Sequence, residues 1–198
     1  MDEFVENEKL QRAKDSGIGE RYWNYKPSDY ICNNPKQEQI LKQVLDFINE
    51  PFNKTLWLVG NHGTGKTMLS GLICRECWGS HYVKSYQIEN EIEDCKSFKA
   101  KESRKDILYR YSEYPVLVID EIAKFESKEE IKYLFMILNE RYEKTRSTIL
   151  ISNKNKIELI KYLGQSIYDR FIENCTSLEF DFDSYRRVKR EEMKNERN

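Results

Sequence analysis

Eight consecutive residues, 60–67, have the types and spacing of a phosphate-binding loop. They read G-N-H-G-T-G-K-T and fit the pattern G-x-x-x-x-G-K-[ST] without a mismatch. Glycines at these positions let backbone N–H groups turn toward phosphate oxygens, and a following helix adds the positive end of its dipole. Lys66 would reach the β- and γ-phosphates and Thr67 would bind Mg²⁺. The candidate nucleotide-binding residues are Gly60, Asn61, His62, Gly63, Thr64, Gly65, Lys66, Thr67 and Met68.

Two carboxylates end a second apolar run, in which Val-Leu-Val-Ile leads into Asp120 and Glu121. Carboxylates next to a buried strand need partners, and a phosphate-bound Mg²⁺ would be one for Asp120. Glu121 could then polarise a water molecule in line with the γ-phosphate. The alternative is a strand that runs into an ordinary acidic turn at the surface.

A third apolar run, residues 148–151, ends in Ser152 and Asn153. Parallel strands present their carboxyl ends to the ligand crevice of a sheet. Asn153 could therefore hydrogen-bond the attacking water or the γ-phosphate. The spacing equally allows Asn153 simply to begin a turn.

The elements that position these residues follow an alternating pattern. Five apolar runs, at 55–59, 82–86, 116–119, 148–151 and 178–182, are predicted to be buried strands. Helical patterns separate them: Asn34 and Pro35 begin one helix, Ser127 and Glu130 form a capping box for another, and Asn155 begins a helix that ends at Gly164. Strands alternating with helices favour an α/β domain with a mostly parallel sheet.

In the helix after Ser127, one apolar stripe is predicted. Its members are Ile131, Leu134, Phe135, Leu138 and Tyr142.

Composition excludes several other classes of protein. The 198 residues carry 33 basic and 34 acidic side chains, a net charge of −1, so bulk charge gives no case for a histone-like nucleic-acid binder. No apolar run approaches the ~20 residues of a membrane span, and the acidic amino terminus does not resemble a signal peptide. Five cysteines and two histidines support neither a disulfide scaffold nor a multi-histidine metal centre. We expect a cytoplasmic protein with no membrane partner.

Taken together, these motifs resemble an AAA+ ATPase, and most closely the bacterial and phage replicative helicase loaders of the DnaC/DnaI type, whose ATP-binding domain is similar to that of IstB. Residues 16–22 (S-G-I-G-E-R-Y), 163–171 (L-G-Q-S-I-Y-D-R-F) and 182–186 (F-D-S-Y-R) narrow the resemblance. It implies a three-layer α/β/α P-loop NTPase fold with a five-stranded parallel sheet and no helical lid domain. Residues 16–185 would be the ATPase domain, between a short polar arm at 1–15 and a charged tail at 186–198.

The resemblance also implies roles. Lys66 and Thr67 fall in Walker A, Asp120 and Glu121 in Walker B, and Asn153 at sensor 1. Arg170 matches the arginine finger, which a neighbouring subunit of a homo-oligomer would insert beside the γ-phosphate. Ser166 stands where these loaders usually carry another arginine. The aromatic residues Tyr22, Trp23 and Tyr25 would wall the adenine, or pack under the sheet.

The long connection after the second strand, residues 87–115, carries basic side chains that could follow single-stranded DNA. They are Lys96, Lys99, Lys101, Arg104 and Lys105, with Phe98 among them. Four acidic residues precede them, so a solvated helix of mixed charge is the stronger interpretation.

The predicted function is that of a slow ATPase that uses ATP and Mg²⁺ to assemble with a replicative DNA helicase. Three alternatives remain at this stage. The first is an IstB-like helper of transposition, which acts on duplex DNA with a transposase, and the second is a small P-loop kinase. A non-hydrolysing adaptor, in which ATP only controls assembly, is a third.

Overall fold

The computed structural model describes residues 2–97 and 100–185. The helices are α1 (Asp2–Asp15), α2 (Pro35–Asn49), α3 (Lys66–Glu76), α4 (Ser85–Asp94), α5 (Arg104–Glu113), α6 (Lys128–Glu143), α7 (Lys156–Leu163) and α8 (Gln165–Phe171). The strands are β1 (Thr55–Gly60), β2 (Ser80–Lys84), β3 (Val116–Ile122), β4 (Ser147–Ser152) and β5 (Cys175–Phe180).

The five strands form one parallel sheet in the order β2-β3-β4-β1-β5. Strand β1 lies between β4 and β5, with Thr55 opposite Thr148 on one side and Cys175 on the other. All the strands therefore end at the same edge, where the phosphate-binding loop and the carboxylates of β3 also lie. The predicted α/β fold with a five-stranded parallel sheet is confirmed.

Helices cover both faces of the sheet, because alternate strand residues point to opposite sides. In β1, Leu56 and Leu58 join a core with α2 and α3, whereas Trp57 and Val59 join a second core with helices α4 to α8. The sheet is thus buried on both faces, as near-continuous apolar strands require. This is the predicted three-layer α/β/α architecture.

Two strands differ in position from the sequence prediction. Strand β2 begins at Ser80 and ends at Lys84, so Tyr86 belongs to the first turn of α4. Strand β5 begins at Cys175 and ends at Phe180. The first residues of β5 are only half-buried, so their apolar content does not indicate a strand. They belong to the strand because they pair with β1.

The buried stripe of helix α6 overlaps the predicted one only at Leu134 and Leu138. Tyr133, Leu134, Ile137, Leu138 and Arg141 are buried, whereas Phe135 and Tyr142 remain about 40% exposed. The predicted capping box is half formed. The Ser127 hydroxyl accepts from the Glu130 N–H at 3.3 Å, but the Glu130 carboxylate is buried and accepts from the Ala123 N–H and the Tyr162 hydroxyl.

The amino-terminal segment forms helix α1, which packs against α3. Ala13 is fully buried there, and Lys9 pairs with Glu76 at 2.8 Å. None of the helices in the described ranges is long and apolar enough to cross a membrane. All five cysteines are free thiols, and Cys74 and Cys77 are both buried. The predicted tail, 186–198, lies outside the described residues.

Candidate functional site: a nucleotide cleft at the carboxyl edge of the sheet

The phosphate-binding loop connects β1 to α3 and depends on glycines at its two ends. Gly60 and Gly65 have φ angles of 114° and 99°, a region that favours glycine. A Cβ on Gly60 would lie 2.5 Å from the carbonyl oxygen of Phe180, and one on Gly65 would lie 2.7 Å from the ring of Tyr30. Helix α3 begins directly after Gly65, so its amino-terminal N–H groups face the loop.

Lys66 is the first residue of α3 and is 5% exposed. Its ammonium group donates to the carbonyl oxygens of Gly60 and Asn61 at 2.7 and 2.5 Å. Burial lowers the pKa of Lys66 to about 8, although the nearby Asp120 carboxylate acts in the opposite direction. A phosphate group in the loop would give this amine the counter-charge that its present partners, two neutral carbonyls, do not provide.

Asp120 links the end of β3 to the phosphate-binding loop. Its Oδ2 accepts from the Thr67 hydroxyl at 2.9 Å and from the Tyr82 hydroxyl at 2.7 Å, and its Oδ1 accepts from the N–H of Glu121 at 2.6 Å. The residue is 5% exposed. A hydroxyl and a carboxylate in contact at the edge of a phosphate-binding loop are oxygen ligands of the kind that Mg²⁺ uses together with substrate phosphates.

An irregularity in β3 places Glu121. Ile119 pairs with Leu150 but Ile122 pairs with Ser152, so β3 contains one extra residue between these pairs. Glu121 has a φ of 59°, and its carboxylate lies 2.8 Å from the Lys124 ammonium and 3.7 Å from that of Lys84. The bulge thus lets consecutive carboxylates take different partners.

A cleft of about 1020 Å³ lies over this edge of the sheet. Seven of the nine predicted nucleotide-binding residues line it, with Gly60 and Asn61 at the base of the loop beneath. Asp120, Glu121 and Asn153 line it too, so the structure brings the polar ends of β3 and β4 together with the phosphate-binding loop. Asn153 is exposed in the bend that follows β4.

The opposite wall of the cleft comes from the segment before α2. Tyr22, Tyr25 and Tyr30 all line the cleft. This wall packs closely on α3, since a Cβ on Gly71 would lie 2.8 Å from the Cβ of Tyr22. Two alternatives had been open for the aromatic residues. Tyr22 and Tyr25 line the cleft, whereas Trp23 packs against the core below.

Arg170 is not among the residues that line the cleft of its own chain. It lies on α8. Its guanidinium donates to the Ser166 hydroxyl at 2.6 Å and lies 5.8 Å from the ring of Phe135. A role for Arg170 beside a phosphate therefore requires the cleft of another subunit.

Sequence reasoning missed several residues of this site. Tyr82 holds Asp120, Lys84 and Lys124 pair with Glu121, and Tyr185 contacts the loop through its N–H, 3.0 Å from the Gly63 carbonyl oxygen. The signal for Tyr82 and Lys84 was their position in β2, because Lys84 lies opposite Asp120 in the parallel register. That register could be read only after β2 was known to neighbour β3.

The residues fit a magnesium–nucleotide complex. The glycine-dependent loop leaves room for phosphate, the Lys66 ammonium hydrogen-bonds to two neutral carbonyls, and Thr67 and Asp120 offer oxygen ligands. Within the described ranges, no cluster of three or more His, Cys, Asp or Glu side chains could hold a metal ion without further ligands.

Residues 26–193 match the family described as IstB-like ATP binding protein. This match covers most of the chain, so the protein belongs to that family of ATP-binding proteins, and its fold is the α/β fold of P-loop NTPases. The predicted resemblance is confirmed.

Curated relatives fall into two groups. The chain is 30% identical to the insertion sequence IS232 putative ATP-binding protein of Bacillus thuringiensis subsp. berliner, over 73% of this chain and 62% of that protein. It is 29% identical to the replicative helicase loader DnaC of Buchnera aphidicola subsp. Schizaphis graminum, over 92% of this chain and 78% of that protein. The chain thus spans less than two thirds of the insertion-sequence protein.

Solved structures show the same fold. The DnaC helicase loader superposes with a TM-score of 0.68 at 21% identity, over 82% of this chain and 100% of that one. The replication initiator DnaA bound to AMPPCP and single-stranded DNA gives 0.68 at 17% identity, over 90% of this chain and 56% of that one.

Proposed function

We propose that this protein is a helicase-loader-like ATPase that binds Mg²⁺·ATP in the cleft and assembles with a replicative DNA helicase in the cytoplasm. The contact that supports nucleotide binding is the 2.9 Å hydrogen bond from Thr67 to Asp120, which joins the phosphate-binding loop to the acidic end of β3. The extent of the DnaC match, over nine tenths of this chain, supports the loader role.

In this proposal each residue of the cleft has a distinct task. Residues 60–68 hold the triphosphate, with Lys66 on its outer phosphates, and Thr67 and Asp120 hold Mg²⁺, which neutralises phosphate charge. Glu121 orients and polarises the attacking water, and Asn153 hydrogen-bonds that water or the γ-phosphate. Tyr82 keeps the Asp120 carboxylate oriented by donating to Oδ2.

A neighbouring copy of the chain would complete the site through Arg170. The surface around α8 supports this role, because Phe135 is 40% exposed next to Arg170 and Tyr142 is 39% exposed next to Phe171. An exposed aromatic surface around a cation is suited to a protein interface. The guanidinium would stabilise charge on the γ-phosphate in the transition state, and ATP would thereby control assembly.

Single-stranded DNA is the second partner in the proposal. Its support is the basic connection after α4, where Lys101, Arg104 and Lys105 are exposed, and the fold shared with a DnaA that binds such a strand. Phe98 and Lys99 of the same connection lie outside the described residues.

A second candidate function is that of a transposition helper, favoured by the family description and by the IS232 relative. Its partners would be duplex DNA and a transposase. The kinase alternative predicts that ATP is consumed only when a small acceptor molecule is added. A turnover assay without an acceptor would then show no activity.

The loader role is tested by co-purifying the chain with its host's replicative helicase, with ATP and without nucleotide. We expect a stable complex that depends on ATP for the wild type and is absent for Lys66→Ala. Lys42→Ala, a change at an exposed lysine on α2, is the matched control and should behave like the wild type.

Wild-type protein that binds ATP but never retains the helicase would refute the loader role. Retention of a transposase and preference for duplex DNA in a band-shift assay would instead establish the transposition helper.

A further inference from the structure

Two lysines and two aromatic rings form a compact cluster at the carboxyl edge of the sheet, beside Glu121. We call Lys84, Tyr86, Lys124 and Phe125 the basic–aromatic cluster. The Lys124 ammonium lies 5.6 Å from the ring centre of Tyr86 and 5.3 Å from that of Phe125, and the Lys84 ammonium lies 5.8 Å from Tyr86. The two rings meet edge to face at 5.7 Å.

The two lysines of the cluster lie beside the carboxylates at the end of β3. Both lysines pair with the carboxylate of Glu121, and the neighbouring Asp120 carboxylate also helps to raise the pKa of Lys84. The nearest acidic residue along the loop, Glu126, is paired with Lys154 at 2.7 Å. The side chains of Lys84 and Lys124 are 35% and 44% exposed, so the phosphates of a ligand can reach them.

The aromatic ring of Phe125 is available to a ligand. Phe125 is 66% exposed, unlike Phe180, which is fully buried in the core. Phe125 lies in a tight loop, in which Glu121, Ala123 and Glu126 all have positive φ values of 51° to 61°. Such a conformation is unfavourable for residues with side chains, so the surrounding structure must hold the loop, and with it the Phe125 ring, in this form.

We propose that the basic–aromatic cluster is a binding site for single-stranded nucleic acid, with phosphates on Lys84 and Lys124 and a base stacked on Phe125. This inference rests on the proposed function, whose DNA partner it assigns to particular residues. Cations beside exposed aromatic rings are what a single strand requires, because each of its bases has an accessible π-face. A duplex offers its phosphates but keeps its bases stacked inside, so Phe125 would contribute little to duplex binding.

Helix α4 leads from the basic–aromatic cluster to a second group of basic residues. This helix begins next to the cluster and ends, about 15 Å further on, near a groove of 380 Å³. Lys96, Arg104 and Lys105 line that groove around an apolar floor of Ile92 and Tyr133. Lys96 pairs with Glu93, whereas Arg104 and Lys105 are exposed. A strand that leaves the cluster along α4 would meet these cations next.

The test is fluorescence anisotropy with a labelled oligonucleotide of mixed sequence, as single-stranded DNA, single-stranded RNA and duplex, on the full chain with Mg²⁺·ATP. Two variants probe the two parts of the site: the double change Lys84→Gln with Lys124→Gln, and Phe125→Ser. Matched controls are Lys42→Gln on α2 and Phe52→Ser, at a phenylalanine that is 83% exposed before β1, at the opposite edge of the sheet.

We expect the double lysine variant to bind the single strand more weakly and to lower the salt slope by about 1.4, since each phosphate contact contributes about 0.7. Phe125→Ser should weaken binding roughly 5- to 100-fold with an unchanged salt slope, as expected for one lost stacking contact. The controls should bind like the wild type, and a preference for DNA or RNA identifies the natural strand.

The proposal is overturned if both cluster variants bind the single strand like the wild type, or if wild-type protein that binds ATP binds no oligonucleotide. Equal or tighter binding of duplex, unaffected by Phe125→Ser, also overturns it. These outcomes are separable from the loader role: a strand bound at the cluster by a protein that never retains the helicase would refute the loader role alone.

Discussion

The ammonium group of Lys66 experiences two opposing effects in the cleft. Burial disfavours its charge and lowers its pKa to about 8, whereas a bound triphosphate needs that charge. In the protein without nucleotide, Lys66 is protonated below about pH 8 and neutral above it. Binding above this pH must therefore be accompanied by uptake of a proton.

This coupling predicts how ATP affinity depends on pH. Affinity should be nearly constant below about pH 8 and fall by about tenfold per unit above it, until the raised pKa of the bound state is reached. Calorimetric or fluorescence titrations across this range measure the effect. Lys66→Arg, whose guanidinium stays charged, is the control and should show a flat profile. A wild-type affinity independent of pH up to about pH 10 would contradict the proposed contact.

Glu121 and Asp120 are neighbours with different predicted roles, in catalysis and in metal binding. Replacing Glu121 should therefore affect turnover and leave nucleotide binding unchanged. Glu121→Gln should bind Mg²⁺·ATP with wild-type affinity and lose about 10²- to 10⁴-fold in turnover, as expected for a missing general base. Single-turnover hydrolysis with a parallel binding measurement checks both quantities. Unchanged turnover in the variant would show that Glu121 is not the base.

At the level of elements, Arg141 of α6 ties three segments together at the edge of the sheet away from the cleft. Its fully buried guanidinium donates to the Thr148 hydroxyl at 2.9 Å and to backbone carbonyls of Tyr111, Tyr114 and Ser147. Burial lowers the pKa of Arg141, yet these acceptors satisfy the side chain. The contacts join the end of α5 to the start of β4.

Replacing Arg141 should therefore destabilise the fold without affecting the cleft. Arg141→Met leaves buried carbonyl groups without donors and should cost about 3 kcal/mol or more, or a melting temperature lower by roughly 6–12 °C. Thermal unfolding measures this loss, with ATP affinity unchanged below the transition. Arg146→Met, which removes only a partly exposed pair with Glu113, should change stability by about 1 kcal/mol or less. Similar melting temperatures for the two variants would be incompatible with this role.

Much of the fold could be predicted from sequence because the strands are apolar on both faces and the helices carry strong caps such as Asn34 and Asn155. The errors arose where tertiary contacts decide. Strand β5 extends back to Cys175 because β1 pairs with it, and α6 turns Phe135 outward because Tyr133 and Ile137 fill the core. The Glu130 side chain does not form its predicted cap because it accepts a hydrogen bond from Tyr162, a residue distant in sequence.

In the candidate site, too, some residues could be predicted from sequence and others depend on tertiary structure. Walker A residues are contiguous, so one motif could predict them from sequence alone. Tyr82, Lys84 and Lys124 reach Asp120 and Glu121 through strand order and a bulge in β3, which no local pattern specifies.

At the level of the whole molecule, Arg170 does not line the cleft of its own chain. The proposal that Arg170 acts in a neighbouring subunit predicts complementation between two inactive variants. Arg170→Ala and Glu121→Gln should each be nearly inactive, but their mixture should regain ATP turnover. In the mixture, an intact Arg170 can enter a cleft with an intact Glu121. Steady-state hydrolysis at varied mixing ratios measures this, and a mixture no more active than its parts would contradict action in trans.

The placement of a triphosphate between the start of α3 and the end of β3 is tested most directly by titrating Mg²⁺·ATP into the wild type, Lys66→Ala and Lys42→Ala. Saturable binding should occur in the wild type and in Lys42→Ala and be lost in Lys66→Ala, with all three equally folded by circular dichroism. Wild-type affinity in a folded Lys66→Ala protein would show that the nucleotide binds elsewhere.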